Sequence, residues 1–164
     1  MPLLCISLLA LLLLPPTLSC GSKRPHEEIR NDYMAIVQTD LNNTREKITA
    51  LMPSSSCPAL KHKLRSCTPN ITNIENTLHI LACKMKNLRL SHTDRLAVTV
   101  QYSIRCPCPE KSTKEPSLTS RPARRRRRNQ HNKNKEIKKL CKAKVLLSTV
   151  TQCYEILNAI LTDI

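Results

Sequence analysis

The chain has 164 residues and a formal net charge of +15, with one glycine, no tryptophan and no phenylalanine. Tight hairpins depend on glycine and strands favour aromatic residues, so this composition argues against an all-β fold. The length suggests one domain, and its core must be built from Leu, Ile, Val and Met.

The first 19 residues have the pattern of a secretory signal peptide. An apolar run from Leu3 to Leu14 is too short to span a bilayer, and two prolines and small residues follow it. We expect cleavage after Ser19; a bacterial lipoprotein signal ending at Cys20 is the alternative. No later stretch is predicted to be long and apolar enough for a membrane span, so we expect no membrane insertion. Residues 20–164 are therefore predicted to form one secreted, monomeric domain.

Eight cysteines would remain after removal of the signal, and an even number in a secreted chain indicates a disulfide framework. They are Cys20, Cys57, Cys67, Cys83, Cys106, Cys108, Cys141 and Cys153. Two sequons, at Asn42 and Asn70, fit glycosylation in the secretory pathway. The histidines show no metal-ligand spacing with the cysteines, so no cofactor is expected.

Apolar residues at helical spacing predict a first helix from about His26 to Met52, which Pro53 and three serines end. Its apolar positions are Ile29, Tyr33, Ile36, Val37, Leu41, Ile48, Leu51 and Met52. The segment between Cys57 and Cys67 is long enough for only one or two helical turns.

A second helix is predicted to begin with Thr68 as its N-cap and Pro69 at the first helical position. Its apolar residues step by three and four as far as Leu88, the most regular pattern in the chain: Ile71, Ile74, Leu78, Leu81, Met85 and Leu88.

A third helix is predicted from Ser91, which together with Asp94 fits a capping box, to Cys106. Leu96, Val100 and Ile104 would be its buried residues. The β-branched run from Val98 to Val100 leaves a strand as the alternative.

Residues 106–135 are rich in proline, serine and charge and are predicted to form a mobile basic loop. A fourth helix is predicted from about Glu136 to the end. Its wide apolar face comprises Leu140, Leu146, Leu147, Val150, Cys153, Tyr154, Leu157, Ile160 and Leu161. Such a face indicates either a deeply buried helix or one that also meets a partner.

Cys141 and Cys153 both lie on this fourth helix, about 18 Å apart along its axis, so they cannot bond each other. Each needs a partner elsewhere, and Cys57 and Cys67 are the candidates. We expect one cysteine of the Cys106-Pro107-Cys108 segment to reach Cys20. The other would pair with Cys83, for which a free buried thiol is the alternative.

This arrangement resembles the interleukin-7 family of short-chain four-helix cytokines. The most specific match is LCKAKVLLSTVTQCYEIL at residues 140–157, with a Leu-Leu pair between two cysteines and an aromatic residue after the second. The resemblance implies an all-α, up-up-down-down four-helix bundle. It also implies the bridges Cys57–Cys141, Cys67–Cys153 and Cys20–Cys106, and it leaves Cys83 and Cys108 as an additional pair.

The resemblance implies a non-enzymatic signalling ligand that bridges an interleukin-7 receptor α chain and the common γ chain. The family engages the α chain through its first and third helices and the γ chain through its first and last. Tyr154 is predicted to anchor the γ chain while its hydroxyl stays in water, unless it is an ordinary core residue. Gln38 and Asn158 are predicted as further receptor contacts.

A polyarginine run, comprising Arg124, Arg125, Arg126, Arg127 and Arg128, lies in the predicted loop. Such a run can bind heparan sulfate through counterion release. It also fits the cleavage pattern of secretory proprotein convertases, and a solvated loop without a partner is the third interpretation. Binding of nucleic acid is disfavoured because there are few aromatic residues for stacking.

Three other function classes are alternatives for this sequence. A secreted basic ribonuclease fits the charge and cysteine number, but its last histidine would be His131, in the predicted loop, and its signature motif is missing. A chemokine would carry paired cysteines near its mature amino terminus. The precursor of a cationic membrane-active peptide is a further alternative, because the fourth helix is basic at one end and apolar along one face.

Overall fold

The computed structural model describes residues 24–52, 57, 66–109 and 125–162, with side chains in the last segment from residue 132. These residues are helical and contain no strand, as the composition predicted. The helices are α1 (His26–Asp32), a π-helical turn (Tyr33–Val37), α2 (Gln38–Leu51), α3 (Ile71–Leu88), α4 (Ser91–Ser103) and α5 (Arg125–Thr162). The predicted signal peptide lies outside the described residues.

The first predicted helix is one rod in which the π-helical turn joins α1 to α2. Its core residues Ile29, Tyr33, Val37 and Leu41 repeat every four positions and are all buried. In an α-helix a four-residue repeat drifts by about 40° at each step. The wider π turn offsets this drift, which keeps the repeat facing the core. Ile36 and Leu51, which the spacing placed in the apolar stripe, are exposed.

The second predicted helix is confirmed as α3, but its N-cap is Asn70 rather than Thr68. The Asn70 side chain accepts a hydrogen bond from the Asn73 amide, which satisfies one of the donors left free at a helix start. Thr68 instead accepts a hydrogen bond from the Asn73 side chain, at 2.8 Å.

The third predicted helix is confirmed as α4, and the strand alternative is wrong. The capping box is also wrong, because the N-cap is Leu90 and it receives no side-chain hydrogen bond. Thr93 stabilises this end by donating its hydroxyl hydrogen toward the carbonyls of Leu90 and Met85. The helix ends at Ser103, earlier than predicted, and the chain beyond it stays buried at Ile104 and Cys106.

The fourth helix, α5, begins at Arg125 instead of near Glu136, so the predicted basic loop is shorter than residues 106–135. A charge run without apolar periodicity predicts a loop, yet Arg, Lys, Gln and Glu are good helix formers and no proline follows Pro122. Residues 110–124 lie outside the described residues.

By length and composition, the part of α5 from Asn132 to Thr162 could cross a membrane, contrary to the prediction that no later segment could. The same properties are found in the core helix of a soluble protein. In this structure the apolar face of α5 lies in the core, with Leu147, Val150 and Leu157 buried.

The helices enclose one hydrophobic core in which α2 and α3 each pack against both α4 and α5. Side chains from all of them are buried, among them Ile48, Ile74, Leu78, Leu96 and Leu147. Burial of such aliphatic side chains is the main favourable term for folding.

Three disulfides lie among the described residues, and all three agree with the pairs proposed from the sequence. Their Cα atoms are 5.6 Å apart in Cys57–Cys141, 5.3 Å in Cys67–Cys153 and 5.5 Å in Cys83–Cys108. The alternative of a free Cys83 is therefore wrong. Cys106 is also disulfide-bonded; its predicted partner Cys20 lies outside the described residues.

Candidate receptor-facing surfaces

Tyr154 lies in the core, so the prediction that its hydroxyl stays in water is wrong. Its side chain is 0% exposed. Its ring stacks on Tyr33 from the first rod with 4.4 Å between the ring centroids. In this position Tyr154 offers no surface to a receptor. It has the environment of an ordinary core residue, which was the alternative interpretation.

The hydroxyl groups of Tyr154 and Ser103 are 2.7 Å apart. Ser103 also donates its hydroxyl hydrogen to the Val100 carbonyl, so Tyr154 is the donor between the two hydroxyls. Burial raises the pKa of Tyr154 above its usual range. The folding stability linked to this pKa shift is fully present at pH values below the ordinary tyrosine pKa. It is lost as the pH rises through the pKa that Tyr154 has in the folded protein.

A half-buried arginine lies at the same end of the molecule. Arg24 forms ion pairs with Glu28, at 2.9 Å, and with Asp32, and it donates to the Ser103 carbonyl. The segment that precedes α1 is thereby fixed to the end of α4. Sequence reasoning missed this contact, because nothing in the local pattern of Arg24 indicates a partner 79 positions away.

A second polar contact joins α2 to the middle of α4. Asp40 is buried; its carboxylate pairs with Arg95 at 3.0 Å and accepts a hydrogen bond from Thr99 at 2.7 Å. One helical turn further along α2, Thr44 donates to the His92 carbonyl. These bonds fix the first rod alongside α4.

Exposed apolar side chains lie beside this contact. Val98 and Tyr102 are 59% and 66% exposed and are one turn apart on α4, on the side of the helix that carries Thr99. Ile36 is exposed one turn before Asp40 on the first rod. We call these three residues, with Asp40, Arg95 and Thr99, the α2–α4 surface. Isolated exposed apolar residues are ordinary, but a group rimmed by polar residues is typical of an interaction site.

Sequence reasoning did not single out this surface. Val98 and Tyr102 are four positions apart on an otherwise polar face of α4, which is a signal that a helical projection could have found. The sequence predicted a helix here with Val100 on its buried face, but it assigned no role to the exposed side chains of Val98 and Tyr102.

An open groove of about 570 Å³ lies on the other side of the first rod, between α2 and α5. Arg45 spans it and donates to the Thr151 hydroxyl at 2.9 Å. Ile48 and Leu147 lie in its floor, while Lys144 and Glu155 give it charges of both signs. Both helices predicted to meet the γ chain therefore contribute to one concave surface.

The two other predicted receptor contacts, Gln38 and Asn158, are half-buried. The Asn158 side-chain oxygen is buried without a hydrogen-bond partner. Neither residue lines the groove between α2 and α5.

The two sequons differ in environment. Asn42 is exposed on α2, but the Thr44 of its sequon is 4% exposed and is bonded to α4. Asn70 and its Thr72 are both exposed, and Asn70 also caps α3.

The polyarginine run is divided between two regions. Arg124 lies outside the described residues, whereas Arg125, Arg126, Arg127 and Arg128 belong to the first turns of α5. Further along the same helix Lys135, Lys138, Lys142 and Lys144 are exposed.

No family model, curated protein or solved structure matches this chain. The resemblance to interleukin-7 therefore rests on the residues of the chain itself: the cysteine positions, the helical pattern and the sequence of the last helix.

Proposed function

We propose that the protein is a secreted cytokine resembling interleukin-7 that holds a receptor α chain and the common γ chain together. The observation that carries the proposal is the α2–α4 surface, where exposed Val98 and Tyr102 lie beside a helix pair of the kind that the family uses for its α chain. No catalytic step is involved; signalling would follow from bringing two receptor chains together.

The helix directions proposed for this fold are up-up-down-down. Tyr33 is near Tyr154, and further along the first rod Ile48 is near Leu147, which favours an antiparallel first rod and α5. The pairs Asp40–Thr99 and Thr44–His92 favour the same relation between α2 and α4. The two-residue connection from α3 to α4 favours an antiparallel pair as well.

The pairing of the described disulfides supports the proposal in part. Two of them join the region before α3 to α5 in the pairing that the resemblance implied. The third is the pair in which this chain departs from the family.

Tyr102→Ala tests the α-chain surface. As a central anchor, Tyr102 should contribute about 2 kcal/mol, so its loss should weaken binding to the soluble α chain roughly 30-fold. Surface plasmon resonance with each receptor chain separately would measure this. Binding of the γ chain should not change, because Tyr102 lies on α4.

Val145→Ala is the matched control, since Val145 is an exposed apolar residue on α5. It should leave α-chain binding within about twofold of the unmodified protein. Equal binding by Tyr102→Ala and the unmodified protein would remove the α2–α4 surface from the proposal.

A second function, binding of heparan sulfate, is favoured by the start of α5 at Arg125. The helix continues from the arginines into a segment with several exposed lysines, so the basic charge extends along α5. A dense line of cations is what a sulfated polysaccharide binds by counterion release.

Replacing Arg124 to Arg128 with alanine should sharply lower the salt concentration that elutes the protein from immobilised heparin. Lys84→Ala with Lys86→Ala is the control, because these exposed lysines lie on α3. Unchanged elution of the five-arginine variant would exclude the run as the heparin site. Secreted protein cut after Arg128 would instead favour convertase processing.

A further inference from the structure

The Cys83–Cys108 disulfide lies against the imidazole of His79. His79 is one turn before Cys83 on α3, and its Nε2 atom is 3.3 Å from the Cys83 sulfur. The same nitrogen is 3.2 Å from the Pro107 carbonyl oxygen. A carbonyl oxygen only accepts hydrogen bonds, so Nε2 must carry the hydrogen. An N–H donor is thus already positioned at one sulfur of the bridge.

This bridge is also the one among the three described disulfides in which both cysteines are partly exposed. In Cys57–Cys141 the second cysteine is buried, and in Cys67–Cys153 both are buried. Attack on a disulfide depends on access to its sulfur atoms. The net charge of +15 further favours the approach of anionic molecules.

The chain around the bridge keeps other attachments. The Cys108 amide donates to the Gln101 side chain at 2.9 Å, and the Cys106 amide donates to the Gln101 carbonyl at 3.0 Å. Opening the bridge would therefore release the sulfur atoms without freeing this segment from α4.

We propose that Cys83–Cys108 is a site of thiol–disulfide exchange with small anionic thiols of the glutathione type, and that His79 assists departure of the Cys83 sulfur. The incoming thiolate attacks the Cys108 sulfur and forms a mixed disulfide there. The bond to Cys83 breaks, and its electron pair leaves as the Cys83 thiolate. The His79 N–H stabilises this thiolate, and a doubly protonated imidazole transfers its Nε2 proton to give a neutral thiol and a neutral imidazole. A leaving sulfur stabilised in this way departs faster.

The test is incubation of the folded, oxidised protein with reduced glutathione, followed by acid quenching, alkylation and peptide mapping. Cys83–Cys108 should open before the other two described bridges. Glutathione should be found on Cys108, and the alkylating agent on Cys83. Glutathione found mainly on Cys83 would overturn the assigned direction of attack.

His79→Gln tests the role of the imidazole. The variant should slow opening of this bridge by about a hundredfold, the lower end of the range for losing a general acid, and should leave the other bridges unchanged. His92→Gln is the matched control, because His92 uses its backbone carbonyl, not its ring, in its bond to Thr44. Circular dichroism would establish that both variants remain folded. Opening of the His79→Gln bridge at the unmodified rate would overturn the proposal.

Discussion

Tyr154→Ala should lower the free energy of unfolding by about 3–5 kcal/mol, the range for removing a large buried aromatic side chain. The ring fills the space between the first rod and α4, and its removal takes away the stacking with Tyr33 and the bond to Ser103. Chemical denaturation followed by circular dichroism would measure the loss. Binding to both proposed receptor chains should weaken equally, in proportion to the loss of folded protein.

Two further variants show how much of this stability loss comes from the hydrogen bond and how much from burial of the ring. Tyr154→Phe keeps the ring and should cost about 1 kcal/mol, because only the hydrogen bond to Ser103 is lost. Tyr102→Ala is the control for residue type; its exposed ring should change stability by less than about 0.5 kcal/mol. If Tyr154→Ala left stability unchanged and weakened only γ-chain binding, the buried position of this residue would be contradicted.

Cys67→Ser should cost about 3 kcal/mol and reduce secretion. Cys67 joins the start of α3 to the carboxy-terminal half of α5, across a sequence separation of 86 residues. Because Cys57–Cys141 remains, the unfolded chain already has the large loop closed, and the second bridge closes an effective loop of roughly 20 residues. The chain-entropy model gives about 3 kcal/mol for a loop of that size.

Ser66→Ala is the control for this prediction, since the neighbouring Ser66 is exposed and outside the helices. Stability would be measured by denaturation under non-reducing conditions, and the bridges of the secreted protein by mass spectrometry. A link from Cys141 to Cys106 or Cys108 in the unmodified protein would contradict the pairing on which this prediction depends.

Helical periodicity was sufficient to predict α3, whose apolar residues repeat without interruption and are buried as expected at Ile74, Leu78 and Met85. It was less reliable at helix ends. The caps at Asn70 and Leu90 depend on which backbone donors remain free, and more than one nearby residue could have satisfied them. The π-helical turn in the first rod was not predicted, although the four-residue repeat of buried residues from Ile29 to Leu41 is a local signal for it.

The position of Tyr154 shows why the candidate surfaces could be predicted only in part. On its own helix this residue lies at the margin of the apolar face, so a projection of α5 leaves it between core and surface. Its burial is decided by Tyr33 and Ser103, which come from distant parts of the sequence. The α2–α4 surface likewise depends on which side of α4 lies against Asp40 of α2.

If the protein is secreted as proposed, the buried hydroxyl of Thr44 limits when a glycan can be added at Asn42. An enzyme that reads Asn-x-Thr needs access to the threonine, and in the folded protein that side chain is enclosed between α2 and α4. A glycan at Asn42 must therefore be attached to the nascent chain before these helices dock. At Asn70, Thr72 remains exposed after folding, so folding does not block attachment of a glycan there. Rapid folding would thus reduce glycan occupancy at the first sequon and leave the second unaffected.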